Sequence, residues 1–208
     1  MSHSNPTTEL ISVVSPLGFG LQARFIWDRD RYRHQIEVVS PGVVRPLLQS
    51  IEGRDQEDWP ASPPIQHVNL CTIQSDSQHG RVAMLSGAAG DSHWSICVTI
   101  RDPYDTSVDF PDVDWGLVFD VACRVNRPPK RACSSYQALS APVAISEKYN
   151  RAHIPADSVG CSILPHNARL EMNVSGTVCP TLQCIAEQLP VTFPATIRWH
   201  YGLRYRRN

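Results

Sequence analysis

Alternation with a period of two is the feature that most constrains this chain. In HWSICVTI (93–100), Trp94, Ile96, Val98 and Ile100 fall on one side of an extended backbone. His93, Ser95, Cys97 and Thr99 fall on the other, because successive side chains of a strand point to opposite faces. The same pattern, rich in β-branched and aromatic residues, recurs in LQARFIW (21–27), YRHQIEVV (32–39), IQHVNLCTI (65–73), HGRVAMLSG (79–87), WGLVFDVACRV (115–125), ARLEMNV (168–174) and ATIRWHYGLRYR (195–206). TELISVV (8–14) reads as an edge strand. DRDR and QSDSQ join two sequence-adjacent pairs as hairpin loops. Parallel neighbours would need helical crossovers that are missing, so the pairing is expected to be antiparallel.

Helical spacing is confined to two short stretches. In 43–53, Val44, Leu47, Leu48 and Ile51 lie on one side and Gly53 stands where a cap would. In 180–190, Leu182, Ile185, Ala186 and Leu189 do the same, and Pro180 suits a first turn. The fold class expected is all-β: a single-domain antiparallel β-sandwich or a strongly curved, barrel-like sheet, with one or two short helices. A chain of 208 residues suffices for one such domain over 1–208, with residues 1–7 as a flexible lead-in. The 17 prolines crowd into connections and leave 17–40 and 65–102 clear, as strands require. Residues 126–167 follow neither period and read as a long irregular region, either a functional loop or one that hides short elements.

A formal charge of −1 and a pI near 6.7 give no general reason to bind nucleic acid or an anionic membrane. The first residues lack the basic and apolar parts of a secretory signal, and no apolar run is long enough for a membrane-spanning helix. The seven cysteines are odd in number, scattered and without a CxxC, which suits buried free thiols and a cytoplasmic, reducing setting.

Parity also separates the polar face of each strand. In 195–206, Ile197, Trp199, Tyr201, Leu203 and Tyr205 are apolar, leaving Arg198, His200, Arg204 and Arg206 opposite. Applied along the chain, it gathers Arg24, Arg33, His93, Arg124, Arg198 and His200 as candidate ligand-binding residues, provided their strands share one concave sheet. Arginine forks suit carboxylate, phosphate and sulfate, and a histidine beside them supplies an acid or base. The competing reading is a solvated face of an ordinary antiparallel sheet. Trp59, in EDWPASPP, is a loop aromatic suited either to stacking on a sugar or to plugging an open core end; Tyr104 and Tyr136 are further loop aromatics.

No metal site is predicted, since the histidines stand singly without HxH or HExxH. His34 with His93 and His200 would conflict with parity, which puts His34 on an apolar face. The aspartates of RDPYDTSVDFPDVDW (101–115) lack the spacing of a calcium loop. There is no GxSxG, and CSSY (133–136) offers no spacing-based mechanism. Asp120 and Glu171 are the acids within apolar strand runs, too little to define an acid–base pair. The leading expectation is therefore a non-enzymatic module, without cofactor, that binds a small anionic or carbohydrate ligand or another protein. The alternatives are an enzyme using His93 or His200 as general acid or base with arginines holding an anionic substrate, and a structural protein that forms homo-oligomers.

Overall fold

Period-two segments become strands because only pairing with a neighbour satisfies their backbone while one face is buried. The computed structural model describes residues 8–54, 57–75, 78–101, 116–139, 143–156, 159–174 and 179–207. The expectations for residues 1–7, for Tyr104 and for the aspartates between 102 and 115 lie outside the described residues.

Strands run in the order β1 (Thr8–Val14), β2 (Gly20–Asp28), β3 (Arg31–Ser40), β4 (Val43–Ser50), β5 (His67–Ser75), β6 (Gln78–Ala89), β7 (Ser92–Arg101), β8 (Gly116–Val125), β9 (Cys133–Ala138), β10 (Ala144–Ser146), β11 (Arg151–Ala156), β12 (Val159–His166), β13 (Ala168–Asn173), β14 (Thr181–Ala186) and β15 (Ala195–Arg207). They form a seven-stranded sheet, β1-β2-β3-β4-β9-β14-β13, and an eight-stranded sheet, β10-β11-β12-β15-β8-β7-β6-β5. The strand pairings are antiparallel, and neither sheet closes on itself.

The inner faces pack as a sandwich. Ile11, Leu21, Phe25, Ile36, Leu48, Tyr136 and Leu182 of the smaller sheet share one apolar cluster with Trp94, Val98, Phe119, Ile163, Trp199, Tyr201 and Leu203 of the larger. Trp94 meets Trp199 edge-on, ring centroids 5.9 Å apart.

Both segments with helical spacing are strands instead, and the one helical element among the described residues is a single 3-10 turn, Glu147–Tyr149. The first mismatch has a local cause. The β3–β4 register shifts between Ile36 and Glu37, so that Ile36 faces Leu48 while Glu37 faces Pro46. Leu47 is the extra residue of this bulge, and Leu47 and Leu48 are both buried, which imitates adjacent positions on a helix. In β14 the alternate residues Leu182, Cys184 and Ala186 are the buried ones.

Of the two alternatives for 126–167, the structure has the hidden short elements rather than one long irregular loop: the region holds β9 to β12 and the 3-10 turn. β9 and the first part of β12 do not alternate, because both of their faces are covered, whereas the short β11 does. The Ser62 hydroxyl donates to the Ser135 carbonyl at 2.8 Å and accepts from the Ser135 amide at 3.1 Å, laying residues near 62 against β9. All seven cysteines are free thiols. Among the described residues no helix is long and apolar enough to cross a membrane.

Candidate functional site

Cross-strand register places four of the six sequence-predicted basic residues on the outer face of the eight-stranded sheet. His93 of β7 pairs with Arg124 of β8, which pairs with Thr196 of β15. The next row is Ser95, Ala122 and Arg198, and the row after it is Cys97, Asp120, His200 and His166. Neighbours within a row are about 5 Å apart and successive rows about 7 Å, so long side chains of adjacent rows can reach one ligand. His93, Arg124 and Arg198 are exposed, and His200 is half-buried.

Arg24 and Arg33 do not join them. They belong to β2 and β3, in the other sheet, so the premise of a single concave sheet carrying all six is corrected. The Arg24 guanidinium donates through Nε to both carboxylate oxygens of Glu37, at 3.0 and 3.1 Å, and Gln22 donates to the same carboxylate. Glu37 and Gln22 are buried, so this cluster is spoken for structurally.

Trp59 is 7% exposed and belongs to the apolar cluster. Its neighbour Asp58 accepts a 2.6 Å hydrogen bond from Arg127, whose Nε also lies 3.7 Å from Asp91 in the β6–β7 turn. Tyr136 is fully buried in β9 rather than carried on an exposed loop.

The electrostatics of the larger sheet are one-sided. Asp120 is the only carboxylate in the sequences of its eight strands, whereas Arg101, Arg124, Arg198, Arg204 and Arg206 all come from β7, β8 and β15. In a chain of net charge −1 this is a marked segregation. No ion pair engages Arg124 or Arg198 among the described residues. Burial lowers the pKa of His200 from its usual 6.5, the charge of His166 lowers it further, and Asp120 acts in the opposite sense. The Cys97 thiol is raised by burial and by Asp120, which keeps it protonated and a poor nucleophile.

A second polar assembly lies between the sheets, built from residues that no sequence spacing links. His34 Nε2 is 2.9 Å from the Tyr136 hydroxyl, which is 2.6 Å from the Tyr201 hydroxyl. The Trp199 indole donates to Ser134 Oγ at 3.2 Å. Burial brings the pKa of His34 down to about 4, holding it neutral, and raises those of both tyrosines. At its edge the His34 amide donates to Ser50 Oγ, and the Ser50 hydroxyl donates to Glu52. Burial pushes the Glu52 carboxyl up to about 7. The parity of His34 signalled its burial; its partners Tyr136 and Ser50 come from β9 and β4, strands that alternation did not mark.

This interior assembly is closed by aromatic rings, His34 lying against Phe25 and Phe119, so it ties the sheets together rather than meeting a ligand. It also separates His34 from His93 and His200, which lie on the outer face. No group of three or more His, Cys, Asp or Glu side chains among the described residues is arranged to hold a metal. Asp120 and Glu171 stand in different sheets, and Glu171 is exposed and paired with Arg169 at 3.0 Å.

Fold and surface together define an antiparallel two-sheet β-sandwich that carries a basic outer face on its larger sheet. No family model matches the chain, and neither does any curated protein or solved structure.

Proposed function

We propose that the outer face of the eight-stranded sheet is an anion-recognition surface and that the protein is a binding module rather than a catalyst. The observation that carries this reading is the row-by-row placement of His93, Arg124 and Arg198 on three adjacent strands whose sheet contains a single carboxylate. Exposed guanidinium forks two rows apart at most can grip separate oxygens of one carboxylate- or phosphate-bearing ligand. Neutral sugars are less well served, because Trp59, the loop aromatic with which one would stack, is buried.

A thermal-shift titration with citrate, pyrophosphate and neutral sugars tests the proposal. An anion at about a hundred times its Kd adds roughly 2.7 kcal/mol, which raises Tm by about 5–10 °C for a chain of this length. The shift is expected to disappear in Arg124→Ala/Arg198→Ala and to persist in Arg33→Ala, on the other sheet. No shift with any anion, or one that survives the double substitution, refutes the reading.

A further inference from the structure

We infer that His166 and His200 form a two-armed chelating site for a divalent transition metal such as zinc or nickel. The inference does not depend on anion binding. Its basis is the direct cross-strand pairing of His166 on β12 with His200 on β15, which brings the two imidazole centroids to 4.3 Å with the ring planes tilted by 34°. A metal bound by two imidazoles sits about 2 Å from each nitrogen, so the coordinating nitrogens must approach to about 3 Å. Rings already this close reach that arrangement by side-chain rotation, without moving either strand.

The backbone beneath the pair is braced. Asn167 follows His166 in the left-handed conformation, with φ of 48°, and its side-chain oxygen accepts the His200 amide at 2.9 Å. The next residue, Ala168, gives its carbonyl to the Asn150 side chain at 2.8 Å, and that side chain also accepts from the Leu170 amide at 2.8 Å. The turn carrying one imidazole is thus tied to the strand carrying the other, which limits the entropy lost on chelation. His166 is exposed and His200 half-buried, so an ion reaches the pair from solvent.

The chemistry of the surroundings agrees. A ligating imidazole must be neutral, as histidine is at and above neutral pH. Asp120 faces His200 on the same row from β8 and supplies negative charge next to the site. Two imidazoles with water in the remaining positions suit borderline cations such as zinc and nickel over calcium or magnesium, which prefer oxygen.

The test is calorimetric titration of Zn²⁺ and of Ni²⁺ into the full-length chain, free of any histidine tag, with Mg²⁺ as the contrast. The expected result is one site for each transition ion, none for Mg²⁺, and affinity about a hundredfold weaker in both His166→Gln and His200→Gln, since each leaves a single arm. The double variant is expected to bind no more tightly than either single one. Metal-free Tm values of the single variants should match that of the unsubstituted protein, which separates loss of ligand from loss of fold. Absence of Zn²⁺ and Ni²⁺ binding near neutral pH, or binding unaltered in both single variants, overturns the inference.

Discussion

The hydroxyl of Tyr136, in the seven-stranded sheet, lies 2.6 Å from that of Tyr201, in the eight-stranded sheet, and both residues are shut off from solvent. One hydrogen bond thus spans the sandwich at its centre, continued on one side by His34. Tyr136→Phe would leave a tyrosine hydroxyl and a histidine nitrogen short of a partner in an apolar interior, at a cost of about 1–3 kcal/mol. Urea unfolding should show this, and a double cycle with Tyr201→Phe should be clearly non-additive. Strict additivity would mean that the hydroxyls do not interact.

His34 and Glu52 give stability opposite dependences on pH. His34 falls from 6.5 in the unfolded chain to about 4 in the fold, so its contribution is complete above 6.5 and is lost as pH drops toward 4. Glu52 rises from 4.5 to about 7, so its contribution is complete below 4.5 and is lost as pH climbs toward 7. Each slope approaches about 1.4 kcal/mol per pH unit where the group is protonated in one state only, and across the shared window the two largely cancel. Glu52→Gln removes one of them. Relative to the unsubstituted chain, this variant should gain stability steadily as pH rises from 4.5 to about 7, in urea midpoints compared across that range. Parallel curves would show that Glu52 titrates normally.

The strands that alternation revealed are those with one face on the core and the other toward solvent, such as β7, where Ser92, Trp94, Ile96 and Val98 are buried and His93 and Ser95 exposed. Where both faces are covered the code is lost. In β9 only Gln137 is exposed, and Ser134 and Ser135 are as buried as Tyr136, so CSSYQA looks like a loop. In β4 a bulge shifts the phase at Leu47, and a strand borrows the spacing of a helix. The polar face of the larger sheet was legible residue by residue, since parity needs only one strand at a time. Which strands share a sheet depends on pairing over long separations, such as β12 with β15 and β4 with β9, and that assigned Arg24 and Arg33 elsewhere. The pairing of His166 with His200 was hidden for the same reason.

Gly87 marks where the chain from Pro64 to Gln66 lies against β6. A Cβ on Gly87 would stand 2.0 Å from the Pro64 carbonyl oxygen, a backbone atom with no rotamer to change. The Gln66 amide donates to the Ser86 carbonyl at 2.8 Å, and the Ala88 amide donates to the Gln66 side chain at 3.0 Å, so the segment cannot simply swing away. Gly87→Ala should therefore cost about 2 kcal/mol or more, well beyond the small intrinsic difference between glycine and alanine in a strand. An unchanged Tm would contradict the close approach.

Arginines of the two sheets should respond oppositely to truncation. Arg24 holds the buried Glu37 carboxylate through both oxygens, and its removal leaves that charge with the Gln22 side-chain amide as its donor in the cluster. Partial exposure of Arg24 moderates the loss, so Arg24→Ala should destabilise by about 1–2 kcal/mol. Arg124 and Arg198 are exposed and enter no ion pair among the described residues, and truncating either should alter stability by less than about 0.5 kcal/mol. Two like charges on adjacent strands repel, and either truncation alone already relieves that repulsion, so at low salt Arg124→Ala/Arg198→Ala should be slightly less stable than the sum of its parts, the difference vanishing at high salt. Urea midpoints with and without about 0.5 M salt separate these cases, because screening removes the repulsion and leaves the Arg24 effect largely intact. If the double variant proves markedly unstable, the guanidinium groups of the outer face are serving the fold, and anion recognition loses its residues.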